Sequence, residues 1–131
     1  MSSASESSID LDTLEAIQTL VARFYKKVLL DPALQRVFDP VLLERHMPFI
    51  EAYWEKMLLG GTRYHRNMVR VHEEAHRRND FHPGDFDRWL ELFIETVDQD
   101  FAGPKAERAK SLAHFIIANL RRIILDSPHA A

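Results

Sequence analysis

Apolar residues recur at spacings of three and four in several long stretches of this chain, and β-branched alternation is absent. That period buries one face of a helix and does not suit a half-buried strand. The first stretch carries Leu14, Ile17, Val21, Phe24 and Val28 behind Asp12 and Glu15, which read as a capping box. Asp31-Pro32 ends it, and a short turn follows. Asp39-Pro40 opens a second helix with proline at its first position, and Gly60-Gly61 stops it. Its inner face would carry His46, Ile50, Tyr53, Trp54 and Met57. Pro48 lies inside, so either this helix starts later than Pro40 or it is kinked.

Residues 62–68 read as irregular, 68–75 as a short helix and 77–85 as a loop broken by Pro83-Gly84. Asp85 is then expected to cap a helix whose apolar face is Phe86, Trp89, Leu90, Phe93, Val97 and Phe101. Gly103-Pro104 separates it from a last helix lined by Ala109, Leu112, Phe115, Ile116, Leu120, Ile123 and Ile124. Helices without a strand bury themselves against each other, so the expected class is all-α.

With 131 residues the chain has room for one core. The expected folded domain spans 12–126, between a flexible segment at 1–11 and a tail at 127–131. A net charge of −3 gives no electrostatic footprint for nucleic acid or anionic membrane. Cysteine is absent, which excludes disulfides, thiolate zinc sites, iron–sulfur clusters and cysteine-ligated or covalently attached haem. A metal would have to be held by carboxylate or by some of the seven histidines. No apolar run approaches the ~18 residues that span a bilayer. Residues 2–8 are polar and lack the apolar core of a signal peptide, so a cytoplasmic location is expected.

The sharpest local motif is His72-Glu73-Glu74-Ala75-His76, which fits H-E-x-x-H. On a helix both histidines share a face, so they can bind one zinc with Glu73 as general base, and His82 stands where a third ligand falls in the longer zinc-protease pattern. That pattern needs a sheet before the motif helix and a methionine after the third histidine. The chain offers no strand signal before His72 and no methionine after Met68.

A second constellation is spread over the whole chain. Phe24-Tyr25 lies in the first long helix and Phe38 after the following turn; His46 is followed by Tyr53-Trp54 and Met57-Leu58-Leu59-Gly60. Tyr64-His65 comes next, with His72 eight residues beyond Tyr64, and Arg88-Trp89-Leu90-x-Leu92-Phe93 lies in the penultimate helix. In this ordered set the sequence resembles the truncated haemoglobins, most closely group 3, over residues 17–124. The resemblance implies a globin-like, two-over-two helical sandwich around haem b. It implies His72 as the proximal iron ligand, Tyr25, His46 and Trp89 as polar residues of the distal pocket, Phe38 packed against the porphyrin, and Ile50 and Trp54 lining the pocket. The chain departs from the family's short link after His72: Glu73 to Asp80 is longer and charged, which leaves His76 as a competitor for the iron.

The function so implied is binding or transport of dioxygen, or of a related diatomic ligand such as NO or CO, at ferrous haem iron. A phenol, an imidazole and an indole N–H beside the ligand would each donate a charge-assisted hydrogen bond worth roughly 1.5–3 kcal/mol. Haem-based redox chemistry, such as NO dioxygenation or a peroxidase-like reaction, is the alternative and requires a reductase. A zinc metallohydrolase on His72, Glu73, His76 and His82 is the rival from another class. Lys56, Arg63 and Arg70 are candidate partners for haem propionates.

Overall fold

The structure is a computed structural model that describes residues 9–61 and 82–125, the side chains of 123–125 excepted. These residues form five helices, α1 (Leu14–Leu30), α2 (Pro32–Gln35), α3 (Pro40–Leu59), α4 (Pro83–Asp100) and α5 (Pro104–Leu125). Among the described residues there is no strand, only an isolated bridge between Ile9 and Phe101. The expected short helix at 68–75 and the tail at 127–131 lie outside the described residues.

The expected apolar stripe of α1 is buried at Ile17, Val21, Phe24 and Val28, and Ala16, Leu20 and Tyr25 widen it. Its cap is Thr13 rather than Asp12: Thr13 is extended, and its hydroxyl accepts from Ala16 N at 3.0 Å. Both residues are cap-competent, and the burial of Leu11 places the chain so that Thr13 takes the position. Asp31-Pro32 does end α1, but the turn beyond it is the short helix α2. Asp31 caps this helix, accepting from Ala33 N and Leu34 N at 3.1 and 3.2 Å.

Pro48 neither delays nor ends α3, which runs as one 20-residue helix from Pro40 to a left-handed Gly60. Leu43, Ala52, Trp54 and Leu58 are its buried residues, with Met47, Ile50 and Tyr53 packed partly against the core. The expected face is therefore right in Ile50, Tyr53 and Trp54, while His46 and Met57 sit at its half-buried edge. Helix α3 leaves carbonyls unpaired at its C-terminus. Lys105 Nζ donates to Leu58 O at 2.8 Å, which places a cation at the negative end of the helix dipole.

Helix α4 begins earlier than its sequence suggested. Pro83 occupies the first turn, His82 is the N-cap, and Asp85 sits at the third position with its carboxylate reaching back to His82 N at 2.6 Å. Pro83-Gly84 thus opens a helix instead of breaking one, because a proline in the first turn lacks only an N–H that would be unpaired anyway. In α5 the expected Phe115 is 69% exposed. The seam is made by Ala106, Ala109, Ala113, Ile116, Ile117 and Leu120. Alanines weigh little in a hydrophobic pattern but let helices approach closely, and Phe115 lies two residues past Ala113, on the far side of the turn.

Helix α1 packs on α3 and α4, α4 on α5, and α3 reaches α5, so the pair α1–α3 lies over the pair α4–α5. The packed chain also takes in residues 9–11, ahead of the boundary at Asp12. Leu11 is fully buried, and Asp10 accepts from Lys105 N and Ala106 N at 3.1 and 2.7 Å, capping α5 across the sequence.

Candidate functional site

One run of aromatic rings joins three helices. Phe24 on α1 is the hub, edge-on to Tyr25, Trp89 and Phe93 at 4.6, 5.0 and 5.2 Å between ring centroids. Phe93 on α4 stacks with Trp89 at 5.3 Å and with Trp54 of α3 at 5.0 Å, the planes only 4° and 17° apart. Such pairs contribute about 0.5–1.5 kcal/mol each beyond their buried area. The i to i+4 spacing of Trp89 and Phe93 stacks both rings along one face of α4.

Tyr25 and Phe38 lie 6.1 Å apart, bringing the end of α2 to the same wall. Phe38, just beyond α2, Ile50 on α3 and Trp89 on α4 are only half-buried although they pack on the core, so three large apolar side chains keep part of their surface uncovered. Tyr25 is buried, and its phenol oxygen accepts a hydrogen bond from the Trp89 side chain, whose indole N–H is a donor only. Burial pushes the Tyr25 pKa up to about 12, and the Trp89 hydrogen bond offsets this only in part. The phenol is therefore neutral at any physiological pH and keeps its own O–H as a donor.

Two buried carboxylates frame the wall. Asp31 accepts from Arg88 Nε at 2.7 Å, and Arg88 also pairs with Glu91. Asp85 accepts from Arg36 at 2.6 Å on both oxygens. Each carboxylate caps a helix while an arginine neutralises it, so together they tie α2 to α4 beside Phe38 and Trp89. The Arg88 pKa is raised, first by its hydrogen bond to Asp31 and then by that to Glu91.

Of the expected site residues, the structure brings Tyr25, Phe38, Trp54 and Trp89 into one aromatic assembly, with Ile50 on the same side of α3. His46 is half-buried on α3, its ring 6.5 Å from Phe49. His72, and with it Glu73, His76, Tyr64, His65, Arg63 and Arg70, lies outside the described residues. Lys56 is exposed on α3. The sequence reading placed Phe24 and Phe93 in the core and missed that they join the site residues to one another. The F-Y pair at 24–25 and the W-x-x-x-F spacing at 89–93 are the signals that carry this.

His82 sits at the exposed start of α4, and no group of three metal-ligating side chains occurs among the described residues. With helices alone before residue 62 among the described residues, the sheet that the zinc-protease pattern requires is missing there, and the zinc reading has no support. No described helix is long and apolar enough to cross a membrane.

The fold is similar to that of a solved protein, the group III truncated hemoglobin from Campylobacter jejuni. The TM-score is 0.79 and the identity 23%, over 89% of this chain and 94% of that one. No curated protein matches the sequence. The sequence model of the bacterial-like globins matches residues 11–123, nearly the whole packed chain, and its match takes in Tyr25, Phe38, Trp54 and Trp89. This match, on described residues that are helical throughout their core, places the chain in the bacterial-like globin family, with the fold of a group III truncated hemoglobin.

Proposed function

We propose that this chain binds haem b against the wall formed by Tyr25, Phe38, Ile50, Trp54 and Trp89, and uses it to hold dioxygen or a related diatomic ligand. The observation that carries this reading is the Tyr25 phenol, buried and neutral, with its oxygen occupied by Trp89 and its O–H left as a donor. The residues fit the group. A flat apolar macrocycle needs large apolar side chains with one face uncovered, and half-buried Phe38, Ile50 and Trp89 supply them.

When bound, ferrous haem supplies an open coordination position and passes partial negative charge to the ligand held there. Tyr25 is placed to donate to that charge. In a dry pocket the bond is worth roughly 1.5–3 kcal/mol. Trp89 acts on the phenol oxygen, so the proposed arrangement is a chain in which the indole N–H orients the phenol and the phenol donates onward. Such chains polarise and strengthen each member. His46, one turn before Ile50 on α3, is the proposed third polar residue. His72 is the residue proposed to hold the haem iron. The chemical class of partner is a gas molecule, with a reductase needed to keep the iron ferrous.

Absorption spectroscopy of the purified protein tests this. A Soret band that moves when carbon monoxide is added to the reduced protein is expected; a colourless protein that cannot take up haemin refutes the reading. His72→Ala is expected to lose the haem and His76→Ala to keep it. The reverse outcome assigns the iron to His76.

A further inference from the structure

Helix α2 is a single turn, yet both of its ends are tied to α4 by an ion pair with a buried carboxylate. At its start, Asp31 divides its carboxylate between two tasks. Oδ2 accepts from Ala33 N and Leu34 N and so caps α2, while Oδ1 accepts from Arg88 Nε at 2.7 Å. At its end, Arg36 donates to both oxygens of Asp85 at 2.6 Å. The side chains of Asp31 and Asp85 are each only 7% exposed. The signs alternate on both segments. Asp31 then Arg36 bound α2, and Asp85 then Arg88 open α4 in the opposite order, so each charge meets its opposite. A slip of α4 that brought Asp85 to Asp31 would set like charges together.

Burying a carboxylate against an arginine is a poor way to gain stability, because desolvation offsets much of the attraction and apolar side chains of similar size hold helices together as well. What the ion pair adds is direction. The residues it holds adjoin the proposed ligand site. Arg88 immediately precedes Trp89, and Asp85 stands one turn before Trp89 on the same face of α4. On the other side, Asp31 closes α1, the helix that carries Tyr25, and Arg36 stands two residues before Phe38. The Trp89 indole N–H crosses from α4 to the Tyr25 oxygen on α1. Ring stacking of Trp89 on Phe93 tolerates sliding of the indole, whereas a hydrogen bond weakens steeply as its angle closes. Rotation of α4 about its own axis is the motion that would carry the indole off the phenol, and the Asp31–Arg88 bond opposes it.

We propose that Asp31 is a positioning residue for Trp89: through Arg88 it fixes the rotation of α4 that aims the indole N–H at the Tyr25 oxygen, and so it sets how firmly the phenol holds a bound ligand. The effect on ligand escape rests on the haem reading above; the effect on the hydrogen bond does not. The role needs both carboxylate oxygens as acceptors. Asparagine caps a helix as well as aspartate does, but it has one acceptor oxygen. With that oxygen on α2 it turns an NH2 group toward Arg88, donor against donor. Asp31→Asn therefore keeps the cap of α2 and removes the tie to α4.

Proton–nitrogen NMR of the isotope-labelled full-length chain, in its reduced carbon monoxide form where haem is bound, gives one indole N–H signal for each of the two tryptophans, assigned with Trp89→Phe. In Asp31→Asn the Trp89 signal is expected to shift and its N–H to exchange faster with solvent, while the Trp54 signal stays. Arg88→Lys, which lacks the Nε–H that Asp31 accepts, is expected to act in the same way. Glu91→Gln, which touches only the exposed arm of Arg88, is expected to leave both signals in place. Oxygen dissociation from haem-loaded Asp31→Asn is expected to speed up roughly two- to tenfold, and no further when the change is added to Trp89→Phe. An unmoved Trp89 signal in Asp31→Asn, with only a lower Tm, makes the residue merely structural and overturns the proposal. So does an equal shift in Asp10→Ala, which frees the start of α5 instead, or a further rise in rate in the double variant. A chain that cannot take up haemin refutes the haem reading, and the indole signals then still decide whether Asp31 positions Trp89.

Discussion

Replacing Tyr25 by phenylalanine removes the hydroxyl proposed to donate to the ligand and leaves the ring packing on Phe24 and Phe38 in place. The lost bond, at roughly 1.5–3 kcal/mol, is expected to speed oxygen dissociation about ten- to a hundredfold. Trp89→Phe is subtler. It keeps a flat ring for Phe93 to stack on and deletes only the indole N–H that the Tyr25 oxygen accepts. A neutral hydrogen bond contributes about 0.5–1.5 kcal/mol, so this variant is expected to speed dissociation roughly two- to tenfold. Because Trp89 acts through Tyr25, the double variant should dissociate no faster than Tyr25→Phe alone, which makes the two effects non-additive. Stopped-flow mixing of the oxygenated protein with carbon monoxide measures all three rates. Multiplication of the two effects in the double variant refutes the relay and returns Trp89 to the ligand as an independent donor. No change in any of the three refutes the hydrogen-bond account of the pocket.

Alkali should unfold this protein partly through Tyr25. Its native pKa of about 12 lies above the ordinary tyrosine value of 10.0, so between these the native state holds a proton that the unfolded chain has released. Stability from this group is full below pH 10 and falls as pH rises toward 12, by roughly 1.4 kcal/mol per pH unit. Denaturant titrations in that window should show a shallower fall for Tyr25→Phe, and equal slopes would contradict the burial of the phenol. Asp10→Ala removes the cap on α5 and is expected to cost about 1–2 kcal/mol, read by calorimetry as a fall in Tm. Gly103 has φ +133, and a Cβ there would stand 2.5 Å from Asp10 Cγ. Gly103→Ala is therefore expected to cost roughly 1–3 kcal/mol, and less in the Asp10→Ala background, where the carboxyl clash is gone but the 2.9 Å approach to the residue-10 Cβ and the backbone strain remain. Asp85→Asn keeps the size of the side chain but weakens both the Arg36 pair and the bond from His82 N. A loss of about 1–3 kcal/mol is expected, and an unchanged unfolding midpoint would show that the link between α2 and α4 contributes nothing.

The helices were legible because their signals are local. Asp31-Pro32, Asp39-Pro40, Gly60-Gly61 and Gly103-Pro104 mark ends through backbone geometry that needs no distant partner. The errors came where two residues compete for one local role, or where a partner far along the chain decides. Thr13 displaced Asp12 as a cap because Leu11 had to be buried. Asp10 looked like part of a free terminus, yet it caps a helix that starts almost a hundred residues later. Phe115 looked like core because it is large, whereas small alanines set the seam that α5 presents.

The order and spacing of Tyr25, Phe38, His46, Trp54 and Trp89 in the sequence carried the resemblance to the family, and that resemblance named the residues proposed for the candidate site. Helix period, which is written in the chain, fixed the buried faces. Only the tertiary structure decided how the residues act on one another. It gave the Trp89 N–H to the Tyr25 oxygen, set both tryptophans against Phe93, and placed Asp31 and Asp85 under arginines from other helices. Hydrogen bonds and ring stacking depend on the distances between helices, and those distances are fixed by side chains such as Ala109 and Ala113 that a hydrophobic pattern barely registers.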